Sequence, residues 1–181
     1  IMFEPFYGYH LNILRLCKAD IKYVKLTTPD WSFDYDQLKD VVTDKTKAII
    51  INTPSNPTGK VFSRKELEFI AELCQKHRVL AISDEMYEYI LYDKNEHVSI
   101  GSIPGMDDFT ITISGFSKSY NITGWRLGYT VAKKKFTEKI GVISDLIYIC
   151  AATPLQYAVI SAFSLPDSYF TELRASYTRR L

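Results

Sequence analysis

The sequence is poor in the residues that build metal centres and disulfides: three cysteines and three histidines in 181 residues. Cys17, Cys74 and Cys150 lie far apart and form no Cys-x-x-Cys pair, which argues against a zinc site. His10, His77 and His97 are equally scattered, so no metal is expected. A sparse, odd cysteine count fits a reducing compartment, and the expected location is the cytoplasm. Charge of one sign is lacking too. The net charge is +1, which gives no reason to expect nucleic acid or an anionic membrane as partner. Lys133-Lys-Lys135 reads as a solvated helix start. No apolar run is long enough to cross a bilayer, and no signal-peptide pattern is present. Thr58-Gly59-Lys60 fails as a phosphate loop, because the leading glycine is missing and Val61 follows the lysine.

What is present is an α/β alternation. A hydrophobic fraction of 46% and a charged fraction of 24% suit a globular domain, and the length supports one real core. Apolar runs predict strands at Ile1–Phe3, Ile21–Leu26, Ala48–Asn52, Val79–Ser83, Thr110–Ser114 and Leu127–Ala132. Asp34-x-x-Gln37 resembles a capping box opening a helix from Tyr35 to Val42. Ser63-x-x-Glu66 is a clearer box, and behind it Leu67, Ile70, Ala71 and Cys74 share one helical face. On that face Cys74 reads as a small buried hydrophobe. Beyond Lys133 the pattern is helical, with Thr153 as a cap, Pro154 at the first helical position and Ser164-Leu-Pro-Asp-Ser168 as a break. The expected fold class is α/β, a mostly parallel sheet with helices on both faces.

Five segments carry chemistry. Ser114-Gly-Phe-Ser-Lys118 follows a strand, and Thr123-Gly-Trp-Arg126-Leu-Gly-Tyr129 leads into the next. A lysine amine there can form a Schiff base with a carbonyl cofactor, and an arginine fork can hold a phosphate. Alone, a lysine is most often a solvated surface residue and an arginine a surface charge. Asn52-Thr-Pro-Ser-Asn56-Pro-Thr-Gly59 follows a buried strand. It is either a plain turn or a device that aims the Asn56 amide at a ligand oxygen. Asp84, just past Val79-Leu-Ala-Ile82-Ser83, is either a helix cap or a carboxylate facing a protonated ring nitrogen, with Tyr87 as a second donor. Tyr7, in Glu4-Pro5-Phe6-Tyr7, is either a core aromatic or a ring that lies flat on a planar cofactor.

In these segments the chain resembles the class I/II aminotransferases, the pyridoxal phosphate enzymes of fold type I. Asn56-Pro-Thr-Gly, Ser83-Asp84-Glu-Met-Tyr87, Phe116-Ser-Lys118 and Thr123-Gly-Trp-Arg126-Leu-Gly-Tyr are similar to that family's signature segments, in its order. The resemblance implies that Lys118 forms the Schiff base and then shuttles a proton between substrate Cα and cofactor C4′. It implies that Asp84 pairs with the pyridine nitrogen, that Tyr87 and Asn56 bond O3′, that Arg126 holds the phosphate and that Tyr7 stacks on the ring. Lys118 must spend part of the cycle as a neutral amine, which requires its pKa to fall below the free value of about 10.4. Relatives commonly have a phosphate-binding serine three residues before the lysine. Here that residue is Gly115, leaving Ser114 and Ser117 as the candidate hydroxyls.

The resemblance further implies amino acid and 2-oxo acid substrates and a homodimer. Lys60-Val-Phe-Ser-Arg-Lys-Glu-Leu67, Val98-Ser-Ile-Gly-Ser-Ile-Pro-Gly-Met106 and Asp167-Ser-Tyr-Phe170 look like the kynurenine/glutamine aminotransferase and cysteine-conjugate β-lyase branch. Residues 1–181 are expected to form the central portion of the pyridoxal-phosphate-binding large domain. An N-terminal glycine-rich segment and a C-terminal small domain with a substrate-binding arginine would lie outside it. A C–S β-lyase or an aminocyclopropane-carboxylate synthase would use the same residues, since the fold does not choose the outcome. A non-catalytic regulator built on this fold is the alternative of another class.

Overall fold

The computed structural model describes residues 1–180. A seven-stranded sheet is built from β1 (Met2–Glu4), β2 (Tyr23–Thr27), β3 (Ser32–Phe33), β4 (Ala48–Asn52), β5 (Leu80–Asp84), β6 (Thr110–Gly115) and β7 (Gly128–Ala132). Its order is β3-β2-β1-β4-β5-β6-β7. The five inner strands run parallel, while β3 and β7 are antiparallel edges. The helices are α1 (Gly8–Leu16), α2 (Tyr35–Val41), α3 (Arg64–His77), α4 (Phe116–Ser119), α5 (Lys134–Tyr148), α6 (Thr153–Val159) and α7 (Asp167–Thr178).

From β1 the chain steps outward to β2 on one side, and later returns to β4 on the other. Right-handed crossovers made in opposite directions leave their helices on opposite faces, so α1 and α3 flank the sheet from two sides. The reversal between β1 and β4 opens a crevice beyond the strands' C-terminal ends, where such sheets bind ligands.

The main core lies between the sheet and α3. Ile49 and Ile51 of β4, Val24 and Leu26 of β2 and Ala81 of β5 pack with Leu67, Ile70, Ala71 and Cys74. Each such Leu or Ile contributes about 1.5–3 kcal/mol relative to exposure. Burial lifts the Cys74 thiol to about 12, which fits its reading as a hydrophobe. The helix starts where expected. Ser63 Oγ accepts from the Glu66 amide, and Glu66 accepts from the Ser63 amide at 2.7 Å. Lys60 closes this corner by donating to Glu66 at 2.7 Å in a buried pair.

Three details depart from expectation. At α2, Asp34 caps alone, accepting from Asp36 and Gln37, while the Gln37 side chain accepts instead from the Lys25 amide of β2. Helix α6 starts at Thr153 itself, with Ala152 as cap, so Pro154 does not occupy the first helical position. Helix α1 and the two-residue β3 were not anticipated: α1 buries no residue, and β3 is too short to leave a pattern.

Candidate active site

Asp84 ends β5 and Asn52 ends β4, paired in register. The chain beyond Asn52 turns through two prolines and carries Asn56. Beyond β6 the single-turn helix α4 carries Ser117 and Lys118. Arg126 follows the 3₁₀ turn Thr123–Trp125 in a left-handed conformation (φ 57°), and its Nη1 donates to Thr123 O at 2.9 Å. Tyr7 is the residue before α1. These five pieces of chain meet around one cavity of about 240 Å³, lined by Tyr7, Asn56, Asp84, Tyr87, Ser117, Lys118 and Arg126 together with Asn52 and Met86.

The polar groups are held in fixed roles. Asp84 Oδ1 accepts from the Met86 amide at 3.2 Å and Oδ2 contacts His10 Nε2 at 2.9 Å. When the carboxylate is ionised it can only accept, and His10 Nε2 is then the donor. Burial raises the Tyr87 phenol above its ordinary value, and the neighbouring Tyr7 and Asp84 raise it further, while the nearby Asn56 amide works the other way. The phenol therefore stays protonated at neutral pH and is available to donate. Among the described residues no partner is bonded to the Lys118 amine. Lys118, Asn56 and Tyr87 also line an adjoining cavity of about 340 Å³, walled by Pro54, Pro57, Leu91, Tyr92 and Tyr177.

One candidate is not brought to this place. Ser114 is buried, and its hydroxyl donates to Glu88 Oε1 at 2.8 Å. It opens onto a separate groove of about 440 Å³ beside Tyr129 and Lys133. The cause is strand alternation: side chains on β6 point in turn to opposite faces, and Ser114 points away from the cofactor side. Gly115 has no room for a side chain, since an added Cβ would sit 2.8 Å from Leu127 O and 3.0 Å from Gly128 Cα. Of the two serines, Ser117 is the one that lines the cavity.

His10 was absent from the sequence-based list. The available signal was spacing. Tyr7 and His10 are three apart at a helix start, so they share a face, and their rings meet edge-on at 5.4 Å.

A lysine, a carboxylate, an arginine and an aromatic ring converge here beyond the strand ends of a parallel sheet, where such folds bind ligands. The chain belongs to the aminotransferase class I and II family, whose model matches residues 1–181. It is 38% identical to kynurenine–oxoglutarate transaminase 3 of Mus musculus over 190 residues, covering 96% of this chain and 42% of that protein. It is 43% identical to an aspartate aminotransferase of Pyrococcus abyssi over 153 residues, 83% of this chain and 39% of the relative. Its fold superposes on N-succinyldiaminopimelate aminotransferase from Mycobacterium tuberculosis with a TM-score of 0.94 at 33% identity, covering 99% of this chain and 47% of that one. The chain thus spans less than half the length of these relatives.

Proposed function

We propose that residues 1–181 are the cofactor-binding large-domain portion of an aminotransferase that moves an amino group from an amino acid to a 2-oxo acid. The observation that carries this reading is the convergence of Lys118, Asp84, Asn56, Tyr87 and Arg126 on one cavity. The residues fit pyridoxal phosphate, which when bound supplies an electron sink that stabilises negative charge at the substrate Cα. Asp84, fixed by His10 and the Met86 amide, would hold a ring nitrogen in its protonated state. Tyr87 and Asn56 would donate to the ring oxygen, Arg126 and Ser117 would grip the phosphate, and Tyr7 would cover the ring face. The Lys118 amine would anchor the cofactor covalently and then carry a proton at Nζ. The adjoining cavity offers room for a substrate beside that amine. Relatives named for kynurenine–oxoglutarate and for aspartate match at similar identity, which favours the reaction they share, amino transfer.

The active form is a homodimer in this reading. Supporting it, Leu146, Ile147 and Ile149 at the end of α5 are 79%, 80% and 76% exposed, a costly surface for a monomer. A cytoplasmic location is supported by three cysteines that form no disulfide. No helix among the described residues is long and apolar enough to cross a membrane.

The test is to add pyridoxal phosphate to the purified protein, reduce with borohydride and map the labelled peptide. The label is expected on Lys118. In Lys118→Ala both the label and 2-oxo acid formation disappear, the latter by about a thousandfold or more. Labelling elsewhere, or a fully active Lys118→Ala, would refute the assignment.

A further inference from the structure

We infer that Asn52, to which no role is assigned above, is a positioning residue that aims Asn56 at Tyr87. The argument starts from the strand ends. Asn52 and Asp84 are the last residues of β4 and β5 and lie opposite each other in register. The Asn52 side chain spans the gap between two segments of the site with both ends of its amide. Its Nδ2 donates to Asp84 O at 3.1 Å, and its Oδ1 accepts from the Asn56 backbone amide at 2.7 Å.

The two bonds have different weights. Asp84 O already accepts from the Thr53 amide at 3.0 Å, so the strands stay joined without Asn52. The rest of the turn also closes on itself, with the Ser55 amide on Lys60 O and the Gly59 amide on Ser55 O. The Asn56 amide has Asn52 Oδ1 as its acceptor among the described residues. Asn56 cannot be reoriented freely from its other side, because Pro57 restricts it. Removing the Asn52 carboxamide therefore leaves the fold closed and frees the tilt of one residue. That residue lines both cavities beside Tyr87, and its amide works against the rise of the Tyr87 pKa. A side chain with a donor at one end and an acceptor at the other is what this span needs; aspartate lacks the donor and leucine lacks both.

The inference takes the purpose of Asn56 from the proposed function, but its test needs no cofactor. In the full chain labelled with [¹³Cζ]tyrosine, the Tyr87 titration is followed by NMR in the parent, Asn52→Ala, Asn56→Ala and the double variant. The Tyr87 pKa is expected to rise by the same amount in all three variants, the double adding nothing. The Asn56 amide is expected to be protected from hydrogen exchange in the parent and to lose that protection in Asn52→Ala. A lower Tm in Asn52→Ala with the Tyr87 titration unchanged would make Asn52 merely structural and overturn the inference. So would an unprotected Asn56 amide in the parent, a measurement that needs no variant. If pyridoxal phosphate binds no form of the protein while the Tyr87 shifts appear as described, the cofactor reading falls and the role of Asn52 stands.

Discussion

The sheet's two halves are built to different standards. From β1 to β5 the strands and α3 share one continuous core, in which Val24, Ile49, Ile51, Leu67 and Ile70 have no exposed surface. From β6 onward the core shrinks to Phe116, Leu127 and Val159 with a few partly buried neighbours. Helix α5 is fifteen residues long and buries none of them. The site straddles this boundary. Asp84, Asn52 and Asn56 are fixed to the packed half, while Lys118 and Arg126 stand on the sparse half. A carboxylate and amide frame anchored in the packed half therefore faces a lysine and an arginine carried by the sparse half.

The contrast has measurable consequences. The largest is expected at the buried corner of the packed half. Lys60→Ala leaves Glu66 buried without its partner, and thermal or urea unfolding should show a loss of about 3–5 kcal/mol. Next, Ile70→Ala should cost about 2–5 kcal/mol in the same assay, whereas Leu146→Ala should stay within about 0.5 kcal/mol at low protein concentration. If a second copy covers α5, the cost of Leu146→Ala will grow with concentration while that of Ile70→Ala will not.

An effect spread over both halves should appear at alkaline pH. Burial raises Tyr35 and Cys74 in the packed half and Tyr89, Tyr120, Tyr129 and Tyr169 in the sparse half. A group with a raised folded pKa binds its proton more tightly in the native state. Its stabilisation is complete below the unfolded pKa and is lost as pH climbs through the folded one. Urea midpoints should be level near neutrality. They should fall from about pH 9, where Cys74 begins its window towards about 12, with the tyrosines joining above 10. A stability curve that stays flat to pH 11 would mean these groups are solvated in solution. The smallest effect separates the two serines. Ser117→Ala should weaken pyridoxal phosphate binding by about tenfold, read by fluorescence titration, and Ser114→Ala should leave it unchanged.

Much of this could be read along the chain. Apolar runs marked β4, β5 and β6 to within a residue or so, because a buried parallel strand carries its signal in a few consecutive side chains; the run at Leu127–Ala132 also marked β7, although that strand is an exposed antiparallel edge. The Ser63–Glu66 box marked α3 for the same local reason. Lys118, Asp84, Asn56, Tyr87 and Arg126, which line one cavity, could be picked out as candidates because each sits in a short, distinctive neighbourhood near a strand end. Helix α1 was not legible: with no buried residue it has no apolar stripe to detect. Gln37 looked like half of a capping box, but the amide that it meets belongs to Lys25, twelve residues away.

Residue order and chemistry are enough to establish the family and the α/β layering and to nominate most of the candidate site's groups, since all of these rest on local pattern. They could not choose between Ser114 and Ser117. That choice turns on which face of β6 a side chain leaves, and on whether β7 lies too close for a Cβ at Gly115. Nor could they connect His10 to Asp84, or Asn52 to both Asp84 and Asn56. Hydrogen bonds between separate strand ends exist only once the sheet has brought those ends within 3 Å or so of each other, and no neighbouring residue in the chain records that distance.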